Sequence, residues 1–137
     1  MAVFCGTDII SVDRIRKSIT ELGETFTKRI YTDEEISYCE SRRMSKFQSY
    51  AARFAAKEAA YKAISPESMD DITWHDAEVM RTETGKPIVV LHGKLGEVAR
   101  EKGIEARNID LSLSHDDSFA IATVVISTLG TSLKSAK

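Results

Sequence analysis

Cysteine, proline and tryptophan are scarce in this 137-residue sequence, which holds two, two and one of them. Cys5 and Cys39 are far apart and lack metal-ligand spacing, which excludes a disulfide framework and a cysteine-rich zinc module. Both read as reduced, packed thiols. So few prolines leave no Pro-rich linker, and no internal repeat or low-complexity tract interrupts the chain. No apolar run approaches the ~20 residues that span a bilayer. The opening MAVFCGTDII has neither the basic region nor the small-residue cleavage site of a signal peptide. A cytoplasmic protein is the expectation, with no membrane partner. Neither sign of charge is in excess: the formal net charge is −2. A nucleic-acid binder is usually basic overall, so that class is set aside, while a local basic patch remains open.

What is present suits one globular domain. Hydrophobic residues make up 42% and charged residues 29%, and this length buries a core without disulfides or a structural metal. The expected division is one domain over residues 1–126 and a polar, frayed tail over 127–137. Residues 3–10 read as a strand that runs into Ser11, a helix N-cap. Ile15, Ile19 and Leu22 stripe a short helix that Gly23 stops. A second short helix covers Glu24–Ile30. Thr32 and Glu35 form a capping box that opens a third helix ending near Ser41.

Residues 45–64 carry the strongest helical signal: alanine-rich, free of glycine and proline, and closed by Pro66. At ~100° per residue, Phe47, Tyr50, Phe54 and Tyr61 share one stripe. Ala52, Ala56, Ala59 and Ala63 form a small-residue side, and Lys46, Arg53 and Lys57 a polar strip. A helix apolar on two sides is expected at the centre of the fold. Beyond it, residues 77–82 and 87–92 read as strands around the turn Thr84-Gly85-Lys86-Pro87. Residues 93–102 read as a helix stopped by Gly103. Residues 108–114 and 119–126 read as strands joined at His115-Asp116-Asp117-Ser118. Strand, helices, then mostly strands predicts an α+β fold with an antiparallel sheet packed around the long helix.

Two carboxylates stand out. Asp8 shares a strand face with Phe4, Gly6 and Ile10, where a charge is costly unless neutralised. Gly6 on that face leaves room for a ligand to approach. A solvent-facing or capping role for Asp8 is the alternative. Glu58 falls in the aromatic stripe beside Phe54 and Tyr61, where unpaired carboxylates are rare. It either pairs with Lys62 one turn on or joins Asp8 around a metal. Two carboxylates from separate elements, leaving places for water and phosphate oxygens, suit Mg²⁺. Lys62 then reads as a group that stabilises a transferring or leaving phosphate, or as a snorkelling surface lysine. His115 beside Ser112 and Ser114 reads as a phosphate or base contact, or as a turn histidine. Neighbours in a hairpin do not make a Ser-His-Asp triad. His75 and His92 show no partner spacing. Arg14, Arg16, Lys17, Lys28 and Arg29 form either a solvated face or a dock for an acidic protein.

Four segments, in order, then carry a resemblance. Gly6-Thr7-Asp8-Ile9-Ile10-Ser11-Val12-Asp13-Arg14-Ile15 is similar to the first signature of the holo-acyl carrier protein synthase family of phosphopantetheinyl transferases. Arg53-Phe54-Ala55-Ala56-Lys57-Glu58-Ala59-Ala60-Tyr61-Lys62-Ala63 resembles its central signature. Gly85-Lys86-Pro87 resembles a family turn, and Leu111-Ser112-Leu113-Ser114-His115-Asp116 its closing segment. The resemblance covers nearly the whole chain. It implies the 4′-phosphopantetheinyl transferase fold. It also implies transfer of 4′-phosphopantetheine from coenzyme A to a serine of an apo-acyl carrier protein, with 3′,5′-ADP released. Asp8 and Glu58 would bind Mg²⁺, and Glu58 and Lys62 would be catalytic. Coenzyme A contacts would come from Arg53 and Lys62, from Gly85, Lys86 and Pro87, and from Ser114 and His115. Arg14 and its basic neighbours would dock the carrier protein. Small synthases of this kind form homotrimers with active sites between subunits. The rival readings are another Mg²⁺-dependent phosphoryl-transfer enzyme or hydrolase, and a non-catalytic module that binds coenzyme A or carrier protein.

Overall fold

Alternation decides the first strand. Along β1 (Val3–Ser11) the residues Phe4, Gly6, Asp8 and Ile10 face inward, and Val3, Cys5, Thr7 and Ile9 face out. The computed structural model describes residues 2–128 of the chain. Four helices follow: α1 (Val12–Leu22), α2 (Glu24–Ile30), α3 (Asp33–Ser41) and α4 (Lys46–Ile64). The hairpin β2 (Ala77–Arg81) and β3 (Pro87–Leu91) comes next, then α5 (Gly93–Glu101), β4 (Ile109–His115) and β5 (Phe119–Ser127).

Local chemistry sets the helix ends. The Ser11 side chain accepts a hydrogen bond from the Arg14 N–H. Gly23, at φ +57°, turns α1 into α2, a conformation that costs glycine little. The Thr32 N–H donates to Glu35 Oε1 at 2.8 Å and the Glu35 N–H donates back to Thr32 Oγ1, completing the capping box. Ser65 takes the left-handed conformation that stops α4 just before Pro66. The Lys102 ammonium donates to the carbonyls of Ile64 and Ser65 there, where the helix leaves carbonyls unpaired.

The main sheet is antiparallel in the order β1-β5-β4, with Asp8 opposite Ala122. Helix α4 lies across its inner face. A Cβ at Gly6 would sit 2.1 Å from the Ala59 carbonyl oxygen and 2.8 Å from the Ala63 nitrogen. The space at Gly6 is therefore filled by the backbone of α4, not kept for a ligand. Ala52, Ala56, Ala59 and Ala63 are all buried within this one chain. The expected α+β fold around a central long helix is what is observed.

Three expectations are corrected. The polar strip of Lys46, Arg53 and Lys57 does not run along the surface: Arg53 and Lys57 are buried, and Lys57 pairs with buried Glu35 at 2.8 Å. Such an ion pair joins α3 to α4 and is invisible to a helical wheel. Cys39 is a buried thiol, pushed up to about 12 by desolvation, but Cys5 is exposed. It belongs to the outward face of the sheet, where Val3, Ile9, Phe119, Ile121 and Val125 are also exposed. Ser127 pairs with Val3 and so belongs to β5. The Thr128 N–H donates to the Ala2 carbonyl. The rest of the expected tail, 129–137, lies outside the described residues. No helix among the described residues is long and apolar enough to cross a membrane.

Candidate active site

Gly6 brings β1 against the C-terminal half of α4, and Asp8 and Lys62 meet as a result. Lys62 Nζ donates to Asp8 Oδ1 at 3.1 Å and to the Thr7 carbonyl at 3.0 Å. The Asp8 side chain is only 16% exposed and that of Lys62 52%. The lysine thus salt-bridges to Asp8 rather than to Glu58, the partner its i+4 spacing suggests. Glu58 stands one turn earlier on α4, half-buried. Burial pushes its carboxyl above the ordinary value, the Asp8 charge pushes it further, and Lys62 opposes both. The site is therefore two mutually repelling carboxylates beside one ammonium.

A cleft of about 420 Å³ opens from this group. Glu58, Tyr61 and Lys62 of α4 line it, together with Met69, Ile72 and Trp74 from the stretch that follows the helix. Trp74 stacks on Phe54 with ring centroids 5.0 Å apart and meets Tyr61 edge-on. The Tyr61 hydroxyl donates to the Thr73 carbonyl. Trp74 escaped the pattern reading because it sits in the aperiodic stretch between α4 and β2. Its being the sole tryptophan was the available signal.

The remaining predicted residues gather elsewhere. Arg53, Gly85, Pro87 and His115 line a second recess of about 310 Å³, together with Tyr38, Arg42 and Arg81. The three guanidinium groups surround the Tyr38 ring at 4.1 Å (Arg53), 5.0 Å (Arg81) and 5.7 Å (Arg42). Arg53 is 3% exposed, and its Nε has no hydrogen-bond partner among the described residues. Tyr38 and Arg42 sit one turn apart at the end of α3, whereas Arg81 arrives from β2, so no spacing marks the three as a group. Ser114 faces the opposite side of the sheet beside Ile9 and Ile121. Lys86 is paired with Asp110 at 3.0 Å. Arg53 and Lys62 are nine residues apart on α4, roughly 13 Å along the axis at 1.5 Å per residue. The structure therefore assembles Asp8, Glu58 and Lys62 in one place and Arg53, Gly85, Pro87 and His115 in another.

The basic residues sit on α1 and α2. Arg16 and Lys17 both pair with Asp13, at 3.2 and 3.1 Å, and Lys28 pairs with Glu24 at 3.4 Å. Arg14 and Arg29 are exposed and carry no ion pair among the described residues. His75 and His92 do have partners: His75 Nε2 is 2.8 Å from the Lys28 carbonyl, and His92 Nε2 is 2.9 Å from Glu78 Oε1. Both lie across the fold, beyond the reach of spacing.

An α+β frame holding a carboxylate pair and a lysine next to an open cleft suits phosphoryl-group chemistry, and comparison with known proteins narrows it. Residues 4–124 match the family described as the 4′-phosphopantetheinyl transferase superfamily. A holo-[acyl-carrier-protein] synthase of Koribacter versatilis is 45% identical over 126 residues, 92% of this chain and 98% of that one. A holo-[acyl-carrier-protein] synthase of Ruminiclostridium cellulolyticum is also 45% identical, over 98% of each chain. The solved Helicobacter pylori synthase in complex with coenzyme A superposes with a TM-score of 0.76 at 31% identity, covering 90% of this chain and 99% of that one. The chain belongs to the 4′-phosphopantetheinyl transferase superfamily, in its holo-[acyl-carrier-protein] synthase branch.

Proposed function

We propose that this chain moves the 4′-phosphopantetheine group of coenzyme A onto a serine of an apo-acyl carrier protein, releasing 3′,5′-ADP. The observation that carries the reading is the meeting of Asp8 with Lys62 and Glu58, the last two of which line the cleft. Serine attacks the β-phosphate, and the protein has mainly to position and stabilise charge. Glu58, its basicity raised by burial and by Asp8, accepts the serine proton. The Lys62 ammonium offsets charge on the leaving phosphate.

The donor set fits Mg²⁺. Asp8 and Glu58 supply hard oxygens whose mutual repulsion a cation relieves. Among the described residues no group of three or more metal-ligating side chains includes them, so water and phosphate oxygens would complete the coordination. When bound there, Mg²⁺ supplies Lewis-acid neutralisation of phosphate charge.

The arginine-lined recess is read as the place for the nucleotide end of coenzyme A. Arg53, whose Nε has no partner among the described residues, lines it with Gly85, Pro87 and His115, while Lys86 and Ser114 flank it in sequence. Its separation from Glu58 supports a homotrimer in which coenzyme A contacts two chains. The exposed apolar face of the sheet, with Ile9, Phe119, Ile121 and Val125, supports the same assembly. Arg14, Arg16, Lys17, Lys28 and Arg29 form the proposed dock for the acidic carrier protein, and the reaction is assigned to the cytoplasm.

Intact-mass spectrometry of an apo-carrier protein incubated with the protein, coenzyme A and Mg²⁺ tests the reading. One added phosphopantetheine, abolished by EDTA and by Glu58→Ala, is expected. No mass gain with several carriers, despite coenzyme A binding, would point to a binding module instead.

A further inference from the structure

Lys57 precedes Glu58 on α4 but faces the opposite way, into the protein, and is wholly buried. All three protons of its ammonium are used. One goes to Glu35 Oε1 at 2.8 Å, one to the Ala77 carbonyl at 2.8 Å and one to the Trp74 carbonyl at 3.0 Å. Two of these acceptors bracket the short 3-10 turn Trp74–Asp76. Tyr61, one turn further along α4, reaches the carbonyl of Thr73. The stretch 73–77 is thus tied to α4 through its backbone, and Trp74, which lines the cleft, is carried on it.

A buried ion pair is weak evidence for stability, since well-packed apolar replacements are often neutral or stabilising. Desolvation pulls the Lys57 ammonium below its ordinary value, and Glu35 opposes that pull. The pair is bonded further on both sides. Glu35 Oε2 accepts from the Val79 N–H at 2.8 Å. A group this costly to bury, spent on the backbone of a cleft wall, has a use in geometry. An aliphatic side chain at 57 would fill the space but could not hold two carbonyls.

We propose that Lys57 is a positioning residue: it clamps the 74–77 segment to α4 so that Trp74 walls the cleft at Glu58 and orients the donor there. That the bound molecule is the phosphopantetheine donor rests on the transferase reading above; the placement of Trp74 by Lys57 stands without it. It acts through Trp74, so donor binding is the step it serves, and the chemistry at Glu58 and Lys62 proceeds as before once the donor is seated.

Trp74 is the only tryptophan, so its emission reports the wall directly. The double variant Lys57→Met/Glu35→Gln removes the clamp without leaving a lone buried charge. Its emission should shift to the red and become more accessible to acrylamide. The KM for coenzyme A should rise about tenfold with kcat little changed. Lys57→Gln/Glu35→Gln keeps an amide that can donate to a carbonyl, and should recover much of both signals. Parent-like emission and KM with only a lower melting temperature would make Lys57 a stabilising residue and overturn the proposal. Loss of cooperative folding in both double variants would overturn it as well, making Lys57 a determinant of the fold. If the parent transfers no phosphopantetheine, the functional reading fails, and the emission of Trp74 still decides whether Lys57 places it.

Discussion

Asp8 and Lys62 lie 54 residues apart in sequence and 3.1 Å apart in space. The contact exists because Gly6 lets β1 rest on the backbone of α4. The lysine is held by Asp8 and by the Thr7 carbonyl, so its ammonium is stationed next to Glu58 without being neutralised by it.

Lys62→Ala should therefore lower kcat by on the order of 100-fold, the loss seen when a donor aimed at developing charge is removed. Because the Lys62 side chain is half-exposed, the change in stability should stay under about 1 kcal/mol. Steady-state kinetics with a carrier protein and a thermal melt check both. A variant that loses only carrier affinity and keeps kcat would remove Lys62 from the chemistry.

Glu58 couples stability to pH. Its carboxyl is raised above its ordinary 4.5 by burial and then by Asp8. The folded protein holds that proton more tightly than the unfolded chain does. This favourable contribution is complete below the ordinary value and is lost as pH rises through the raised one. Near neutrality the ionised Glu58 costs stability. Glu58→Gln should melt higher than the parent at neutral pH, with the advantage shrinking as pH falls through the raised value and gone below 4.5, and it should have lost turnover. Mg²⁺ should raise the melting temperature of the parent by mass action and leave Glu58→Gln nearly unmoved. Equal Mg²⁺ shifts in both proteins would place the metal elsewhere.

Helix boundaries were legible because their causes are local. The Ser11 cap, the Thr32/Glu35 box and the Gly23 stop each involve residues within four positions of one another. The inward face of β1 was equally legible, since alternation fixes which residues share a side. Alternation does not say which side is covered, and so Cys5 was expected to be packed and is exposed. Asp8, Glu58 and Lys62 could be singled out as unusual on their own elements, but their contact depends on the register of β1 on α4. Lys57 and Arg53 look like surface residues on any wheel. Their burial is possible because Glu35, Trp74, Ala77 and Tyr38 arrive from other elements. A polar group whose partners are distant in sequence is the general case that pattern reading misses.

Gly6→Ala tests the packing that makes the site. The added Cβ would lie 2.1 Å from a backbone oxygen, which no side-chain rotation relieves. Stability should fall by about 3 kcal/mol or more, at the upper end of overpacking effects, and turnover should fall because Asp8 moves off Lys62. Denaturant titration measures the first effect and kcat the second. A parent-like melt would show that α4 and β1 separate at little cost.

The exposed sheet face should be where subunits meet. Ile121 is opposite Ile9 in the strand register, at the centre of that face. Ile121→Asp places a charge where apolar surface would be buried against another copy, a cost of several kcal/mol for an unpaired carboxylate. Sedimentation should show a smaller particle than the parent, and activity should drop with it, since Arg53 and Glu58 of one chain stand apart. A variant that stays assembled and active would move the interface to another surface.

Salt should act on docking rather than on chemistry. Arg14, Lys17, Lys28 and Arg29 are exposed, so their attraction for an acidic partner is screened over a Debye length of ~10 Å at 0.1 M. Lys17 and Lys28 already spend part of their charge on Asp13 and Glu24, whereas Arg14 and Arg29 carry no ion pair among the described residues. Raising ionic strength should increase the KM for the carrier protein while the KM for coenzyme A changes less. Arg14→Ala should reproduce that increase at low salt and flatten the remaining salt dependence, and Lys17→Ala should do so more weakly. Carrier KM values that ignore both salt and Arg14 would place the dock on a different face, and the second basic group, around Tyr38, would be the next surface to mutate.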